Sequence, residues 1–260
     1  MARVKLTGAV AWCARFHPRP GPVATLVFDI ETSALPVDGF DEAQQEYLFR
    51  DALKLPDEAA RQTRQAEIRQ QFNLWPLTAQ VVCLAMLNAD TSRGQVLFLA
   101  QALEAEGDAG PVEFVPCPDE VELLTAFWDV AKHYETIVTF NGRSFDVPFV
   151  YLRSALLNVP ISRKDWLGYR FQTEPHCDLA EQLTFYGVSG RDGAARRFNL
   201  DFYCKAFGID SPKSHGVTGL DVNDLIAAGR RREVAEYCLR DVQATVLLYH
   251  IWRERLAGIK

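Results

Sequence analysis

Apolar and polar residues follow one another in blocks along this chain, and the blocks predict a sheet flanked by helices. The run VATLVFDI, residues 23–30, is almost wholly apolar, which is typical of a central strand covered on both faces. A helix is predicted at 120–133 and a long periodic helix at about 231–255, with mostly helical sequence between residue 144 and that helix. Further strands are predicted at residues 80–88, 95–100 and 136–140. This order predicts an α/β fold with a mixed central sheet flanked by α-helices.

One long segment interrupts this pattern between the first two predicted strands. Residues 32–79, 48 in all, lie between Glu31 and the predicted strand at residue 80, where a hairpin needs only about two to five. Residues 41–72 are rich in Gln, Glu, Arg and Ala and contain few apolar residues, so they predict one or two solvent-facing helices. We expect a helical insertion at about 38–75, which is either a solvated hairpin or a lid over a functional site.

The length and charge of the chain indicate how many domains it forms and which binding partners are unfavourable. With 260 residues, 48% of them hydrophobic, the chain can bury one large core, so we expect a single domain at 23–260. Residues 1–22 contain the segment HPRPGP and predict an N-terminal arm or a peripheral strand. The formal charge of −6 argues against binding long duplex nucleic acid through a broad cationic face.

The cysteines and the hydropathy indicate where the chain functions. The six cysteines form no C-x-x-C pair, and no histidine stands at zinc-ligand spacing, so we expect buried thiols in a reducing compartment and a cytoplasmic location. The apolar run at 6–14 is short for a signal peptide and is soon followed by Arg15 and His17. No stretch approaches the roughly 20 apolar residues that span a bilayer, so no membrane contact is expected.

Asp29 and Glu31 are the first candidate functional residues. They are two apart on a predicted strand, so both side chains leave the same face of the sheet. Two neighbouring carboxylates in an apolar strand repel each other and are costly to desolvate, and a metal ion would supply the missing counter-charge. The alternative is a pair of solvated acids at a strand end.

Asp146 is the next candidate, and it follows the predicted strand at 136–140 and the turn sequence NGRS. We place it in the first turn of a helix that begins near Ser144. An acid at this position also complements the helix dipole, so Asp146 is either a metal ligand or a helix starter.

Tyr237 and Asp241 are four residues apart on the predicted C-terminal helix, one turn apart on one face. That face continues through the apolar or small residues Val234, Cys238, Thr245, Leu248 and Trp252. The stripe predicts packing against the core, where an unpaired carboxylate is expensive. Asp241 therefore needs a partner.

Taken together, these residues resemble the DEDD superfamily of 3'-5' exonucleases, in the subgroup whose third motif is Tyr-x-x-x-Asp. The second motif resembles the Asn-x-x-x-Phe-Asp pattern of the proofreading exonuclease domain of family B DNA polymerases. The matching residues are Asp29 and Glu31 in the first motif, Asn141, Phe145 and Asp146 in the second, and Tyr237 and Asp241 in the third. The match spans about 23–252, and the chain looks like a stand-alone predicted exonuclease.

The resemblance implies a ribonuclease H-like fold and a two-metal-ion mechanism with two divalent cations, Mg2+ or Mn2+. It implies that Asp29 bridges the metals and that Glu31 and Asp241 complete the site that activates water. Asp146 would hold the second ion, and Tyr237 would orient the water. Oxygen ligands without histidine favour magnesium or manganese over zinc.

The same resemblance implies three substrate contacts. Thr32 lies where backbone contacts to the terminal 3' hydroxyl occur, and Asn141 and Phe145 lie beside the last nucleotides. Phe145 is either a stacking platform or a core aromatic. Five basic residues have a similar ambiguity between phosphate contacts and solvated loops, namely Arg191, Arg196, Arg197, Lys213 and His215.

These expectations define one leading function and two alternatives. The leading function is removal of nucleoside monophosphates from the 3' ends of single-stranded nucleic acid, with DNA favoured. The first alternative is a 3'-5' exoribonuclease, because the acids do not distinguish the sugar. The second is a non-catalytic nucleic-acid-binding scaffold with the same fold.

Overall fold

The computed structural model describes residues 24–100, 110–187, 193–210, 219 and 221–259. The predicted arm at 1–22 and the basic residues Arg191, Lys213 and His215 lie outside these ranges.

Six strands of the described residues form one mixed sheet. The strands are β1 (Thr25–Ala34), β2 (Ala79–Asn88), β3 (Gly94–Leu99), β4 (Val112–Cys117), β5 (Thr136–Thr139) and β6 (His176–Asp178). Their order across the sheet is β4-β3-β2-β1-β5-β6. β1 pairs antiparallel with β2 and parallel with β5, so it is a central strand. β3 is antiparallel to β2, while β4 and β6 are parallel to β3 and β5.

The described residues form eight α-helices, several of which contact the sheet. They are α1 (Glu42–Leu53), α2 (Glu58–Gln70), α3 (Glu120–Ala131), α4 (Asp146–Leu156), α5 (Leu179–Gln182), α6 (Leu200–Ala206), α7 (Val222–Ala227) and α8 (Arg231–Arg255). Residues of β1 alternate between two cores: Val27 belongs to the cluster that includes the apolar face of α8, and Phe28 to the cluster that includes α3 and α4. The observed architecture confirms the predicted α/β class with a mixed sheet.

The sequence missed two strands and placed the end of a third too early. β4 was not predicted, because its sequence VEFVPC is short and contains a proline. β6 has only three residues, too few for any periodicity to mark it within a region predicted to be helical. β1 runs to Ala34 rather than ending at residue 30, because Glu31, Thr32 and Ser33 are polar residues that are nevertheless buried in the strand.

The segment between β1 and β2 contains the two expected helices. Asp41 and Asp57 cap them by accepting hydrogen bonds from the backbone N–H groups of Gln44 and Ala60. Four buried apolar residues form a small core of their own for this segment, namely Phe49, Ala52, Ile68 and Phe72. The short 3-10 turn Phe72–Leu74 then contacts β1 and leads into β2.

Candidate active site

The central strand carries the first two predicted acids. Asp29 is partly buried and Glu31 is buried on β1, and a register shift with β2 falls between Glu31 and the next residue. Burial raises the pKa of Asp29 well above its ordinary value, and the negative charges of Asp146 and Asp241 raise it further. Burial and the charges of Asp241 and Asp146 likewise raise the pKa of Glu31. The three predicted motifs therefore converge on one cluster of acids.

Asp146 is joined to the central strand by a direct contact. The backbone N–H of Ile30 donates a hydrogen bond to Oδ1 of Asp146 at 3.1 Å. Burial raises the pKa of Asp146 to about 7, although this hydrogen bond opposes the rise. Asp146 is the first residue of α4, so the helix begins two residues later than the predicted start near Ser144.

The C-terminal helix supplies the third part of the site. The predicted apolar stripe of α8 is buried. The predicted bounds of this helix are confirmed at Arg231–Arg255. Tyr237 is buried beside Asp241, and burial followed by the charges of Asp241 and Glu31 raises the pKa of its phenol far above the ordinary value. The phenol therefore keeps its proton throughout the neutral range.

The acid cluster has the donor chemistry of a divalent-cation site. Carboxylates that are buried together repel one another, and each costs free energy when ionised unless positive charge is added. Hard cations such as Mg2+ and Mn2+ take oxygen ligands and supply that charge. The raised pKa values of Asp29, Glu31 and Asp146 are the signature of such a charge deficit. The residues therefore fit divalent metal ions such as Mg2+ and Mn2+.

One thiol lies beside these acids. One ligand atom each of Asp29, Glu31 and Cys238 lie within 4.8 Å of one another. Burial holds the pKa of the Cys238 thiol well above its ordinary value, and the thiol donates to the backbone carbonyl of Asp29 at 3.5 Å. We therefore interpret Cys238 as a neutral packing residue behind the site. The five described cysteines are all buried, and Cys13 lies outside the described residues.

The turn between β5 and α4 is held by a residue that the sequence did not reveal as functional. Asn141 has a φ of 71°, in the left-handed region, and a Cβ on Gly142 would lie 2.4 Å from Oγ1 of Thr139. The turn therefore needs a residue that tolerates a positive φ at position 141 and a glycine at position 142. The carboxylate of Asp178 accepts hydrogen bonds at 2.9 Å from the backbone N–H groups of Asn141 and Arg143. Asp178 thus fixes the turn that leads to the second motif.

Asp178 also connects this turn to the next helix. Its carboxylate accepts from the backbone N–H groups of Ala180 at 3.0 Å and Glu181 at 3.4 Å, which caps α5. The sequence signal for the cap was present, because an aspartate precedes the helix-forming residues Leu-Ala-Glu. The second contact, to a turn 37 residues earlier, is tertiary and has no local signal.

A cavity of about 710 Å³ opens beside the acids. Glu31, Thr32 and Phe145 line one part of it, and the opposite part comes from α2 and the turn Phe72–Leu74. Thr32 is fixed there by its hydroxyl, which donates to the backbone carbonyl of Asn73 at 2.6 Å. Two of the three predicted substrate contacts therefore share one cavity. Asn141 is not among its lining residues, and its backbone is bound to Asp178 instead.

A family model described as "Predicted 3'-5' exonuclease related to the exonuclease domain of PolB" matches residues 78–257. This match covers more than half of the chain and includes Asp146, Tyr237 and Asp241. The chain belongs to this family of PolB-like exonucleases. The matched residues begin after β1, so the first motif adds Asp29 and Glu31 from outside the match.

Three curated relatives of this PolB-like exonuclease are archaeal proteins named "DNA polymerase 1". That of Saccharolobus solfataricus is 29% identical over 138 residues, which are 50% of this chain and 15% of the relative. That of Sulfolobus acidocaldarius is 30% identical over 140 residues, again 50% of the chain and 15% of the relative. That of Sulfurisphaera ohwakuensis is 24% identical over 175 residues, 65% of the chain and 19% of the relative. The chain thus matches less than a fifth of each polymerase.

A solved structure confirms the fold. The family B DNA polymerase of the hyperthermophilic archaeon Pyrobaculum calidifontis matches with a TM-score of 0.54 and 20% identity. The match covers 92% of this chain and 25% of that polymerase chain. This similarity agrees with the expected ribonuclease H-like fold. Among the described residues, no helix has the length and apolar character that a membrane span requires.

Proposed function

We propose that this PolB-like exonuclease removes nucleoside monophosphates from the 3' ends of single-stranded nucleic acid, with DNA preferred to RNA, by a two-metal-ion mechanism. The observation that carries the proposal is the hydrogen bond from Ile30 to Asp146, which brings the second motif against the strand of Asp29 and Glu31. Tyr237 and Asp241 face the same acids, as their effects on one another's pKa values indicate. The preference for DNA is supported by relatives that are named as DNA polymerases.

In this proposal, two Mg2+ or Mn2+ ions would be held by Asp29, Glu31, Asp146 and Asp241. When bound, such a pair lowers the pKa of water and neutralises charge on the leaving 3' oxygen. Tyr237 acts by position rather than as a base, because its phenol stays protonated and can donate a hydrogen bond through Oη. The phenol would orient the attacking water relative to the phosphorus atom.

The cavity beside the acids would hold the terminal nucleotide. Phe145 offers an aromatic ring on one side, and Thr32 presents its backbone beside Glu31. The segment between β1 and β2 would complete the pocket with α2, which favours a fixed wall over a purely solvated hairpin. Five unpaired buried thiols support action in a reducing compartment such as the cytoplasm.

Strands labelled at either end test this proposal. The protein is incubated with 5'-labelled or 3'-labelled single-stranded DNA and RNA in Mg2+, Mn2+ or EDTA. We expect a ladder that shortens from the 3' end of the 5'-labelled strand, immediate release of the label from the 3'-labelled strand, and no cleavage in EDTA. Faster cleavage of RNA would replace the DNA preference with the exoribonuclease alternative, and binding without cleavage would leave the scaffold.

A further inference from the structure

A surface of arginine and aromatic side chains lies beside the turn of the second motif. We call it the arginine-aromatic surface, and it consists of Tyr169, Arg170, Phe171, Arg196, Arg197 and Phe202. Its three rings are largely solvent-exposed, with Tyr169 at 67%, Phe171 at 55% and Phe202 at 54%. Contiguous apolar patches on a protein surface mark interaction sites, so these clustered rings are candidates for binding a ligand.

Neighbouring rings hold the exposed ones in place. Phe171 packs edge-on against Tyr169 at 5.5 Å and against Tyr186 at 5.0 Å between ring centroids. Phe202 is stacked on Phe198 at 4.3 Å. Each exposed ring therefore keeps a defined position at little further cost in conformational entropy when a ligand binds.

The arginines surround a cavity of about 370 Å³. Arg170, Arg196 and Arg197 line it together with one acid, Glu181, which is bound by Arg170 at 2.7 Å and by Arg143 at 3.3 Å. Among the described residues, neither Arg196 nor Arg197 forms an ion pair. The cavity thus has a surplus of positive charge, although the whole chain has a formal charge of −6.

The backbone next to this cavity is strained. Phe185 and Tyr186 have φ values of 48° and 56°, and Gly187 follows with 73°. Bulky residues rarely adopt the left-handed region, and such strain concentrates at binding sites. Here the strained conformation is secured by a hydrogen bond from Gln182 Nε2 to the hydroxyl of Tyr186 at 2.7 Å. It places the Tyr186 ring against Phe171.

The surface is continuous with the candidate active site. Asp178 binds the turn residues Asn141 and Arg143 through their backbone N–H groups. Arg143 contacts Glu181, which in turn binds Arg170 of the surface. One connected set of contacts therefore runs from the second motif to Arg170, which lines the same cavity as Arg196 and Arg197.

We propose that the arginine-aromatic surface binds the single strand upstream of its 3' end, with the arginines on phosphates and the exposed rings stacked on bases. Aromatic stacking combined with a cationic groove is how proteins bind single strands without sequence preference. A duplex keeps its bases stacked on each other, so the rings select unpaired nucleotides. The placement of the strand rests on the proposed function, because the acid cluster defines where the 3' end lies.

Binding without cleavage tests the proposal. The affinity of the full chain for 5'-labelled single strands of about 12 nucleotides, DNA and RNA, is measured by fluorescence anisotropy in EDTA, with a blunt duplex as comparison. We expect Phe171→Ala and, separately, Phe202→Ala to weaken single-strand binding roughly 5- to 100-fold. The pair Arg196→Ala with Arg197→Ala should reduce the slope of log affinity against log salt by about 1.4.

Matched substitutions away from the surface provide the controls. Tyr47→Ala removes a ring that is 66% exposed on α1, and Arg255→Ala removes an exposed arginine at the end of α8. Both should bind like the unchanged protein, and circular dichroism checks that every variant is folded.

Unchanged affinity in folded Phe171→Ala and Phe202→Ala, or equal losses in the two controls, would overturn the inference. The proposed function fails separately: a protein that binds through this surface but cleaves nothing with Mg2+ loses that function and keeps the surface. Normal cleavage by the unchanged protein together with normal binding by the surface variants would overturn only the proposal for the surface.

Discussion

The backbone N–H of Ile30 donates a hydrogen bond to Oδ1 of Asp146, at 3.1 Å and across 116 residues of chain. The bond locks the first residue of α4 to the central strand, between the two acids Asp29 and Glu31. It also explains how a carboxylate can be both a helix starter and a site residue. The carboxylate of Asp146 therefore holds the start of α4 against β1.

A substitution at Asp146 can remove the negative charge of this side chain and keep its hydrogen bond to Ile30. Asp146→Asn retains an amide oxygen that can accept from Ile30, so the fold should persist. We expect the Mg2+-dependent cleavage rate to fall at least about 100-fold, or ~2.7 kcal/mol in transition-state free energy, because a cation loses a ligand charge. Steady-state kinetics checks the rate, and circular dichroism checks the fold. A variant with unchanged kinetics would remove Asp146 from the site.

The raised pKa values predict how the stability of the metal-free protein depends on pH. Asp146 has a folded pKa of about 7 against an ordinary 3.8, so the folded state binds more protons than the unfolded state between these values. The stabilisation is complete below pH 3.8 and is lost as pH rises through 7, and the raised pKa values of Asp29 and Glu31 act in the same direction.

Thermal melting measures this effect. In EDTA, the melting temperature should fall between about pH 5 and 8, and Mg2+ should remove most of the fall because cations stabilise the ionised acids. The variant Asp146→Asn should show a weaker pH dependence in EDTA. A melting temperature that rises through this interval in EDTA would contradict the charge deficit in the site.

Much of this arrangement could be predicted from the sequence, for identifiable reasons. The helix α8 was predicted with its observed bounds because 25 residues of regular apolar spacing average out local exceptions. The pairing of Asp29 with Glu31 followed from strand geometry alone. These are local signals repeated over several residues.

Other features depend on contacts that no local pattern contains. β6 is three residues long and is defined by its pairing with β5, and Asp178 acts on a turn 37 residues away. The arginine-aromatic surface joins residues of two separate loops with Phe202 of α6. For the segment 38–75, the sequence predicted the helices but left open whether they are solvated or cover a functional site, and α2 lines the cavity beside Glu31.

Tyr237 should orient the attacking water and should not act as a base. Its phenol stays protonated at neutral pH because burial and the nearby acids raise its pKa. Tyr237→Phe removes only the hydroxyl, so we expect kcat to fall roughly 10- to 1,000-fold with KM changed less than about twofold. Tyr249→Phe, further along α8, is the matched control and should keep full activity. Equal kcat in Tyr237→Phe and the unchanged protein would contradict the role.

Asp178 should be a positioning residue whose loss affects stability and rate together. Asp178→Ala leaves the backbone N–H groups of Asn141 and Arg143 without their acceptor, and each of these part-buried groups then costs up to about 3 kcal/mol. We expect a melting temperature lower by about 2–4 °C per kcal/mol and a reduced kcat. Asp178→Asn keeps one acceptor and should recover part of both. Identical losses in Asp178→Asn and Asp178→Ala would argue against the hydrogen bonds as the cause.

The most direct test of the central claim compares the unchanged protein with Asp29→Asn on one 5'-labelled single strand in Mg2+. Asp29 lies on the central strand among the other acids, and its side chain keeps its shape in this variant. We predict a ladder from the 3' end with the unchanged protein and none with the variant, while both remain folded. A ladder of equal strength from purified Asp29→Asn would show that the cleavage does not come from this cluster.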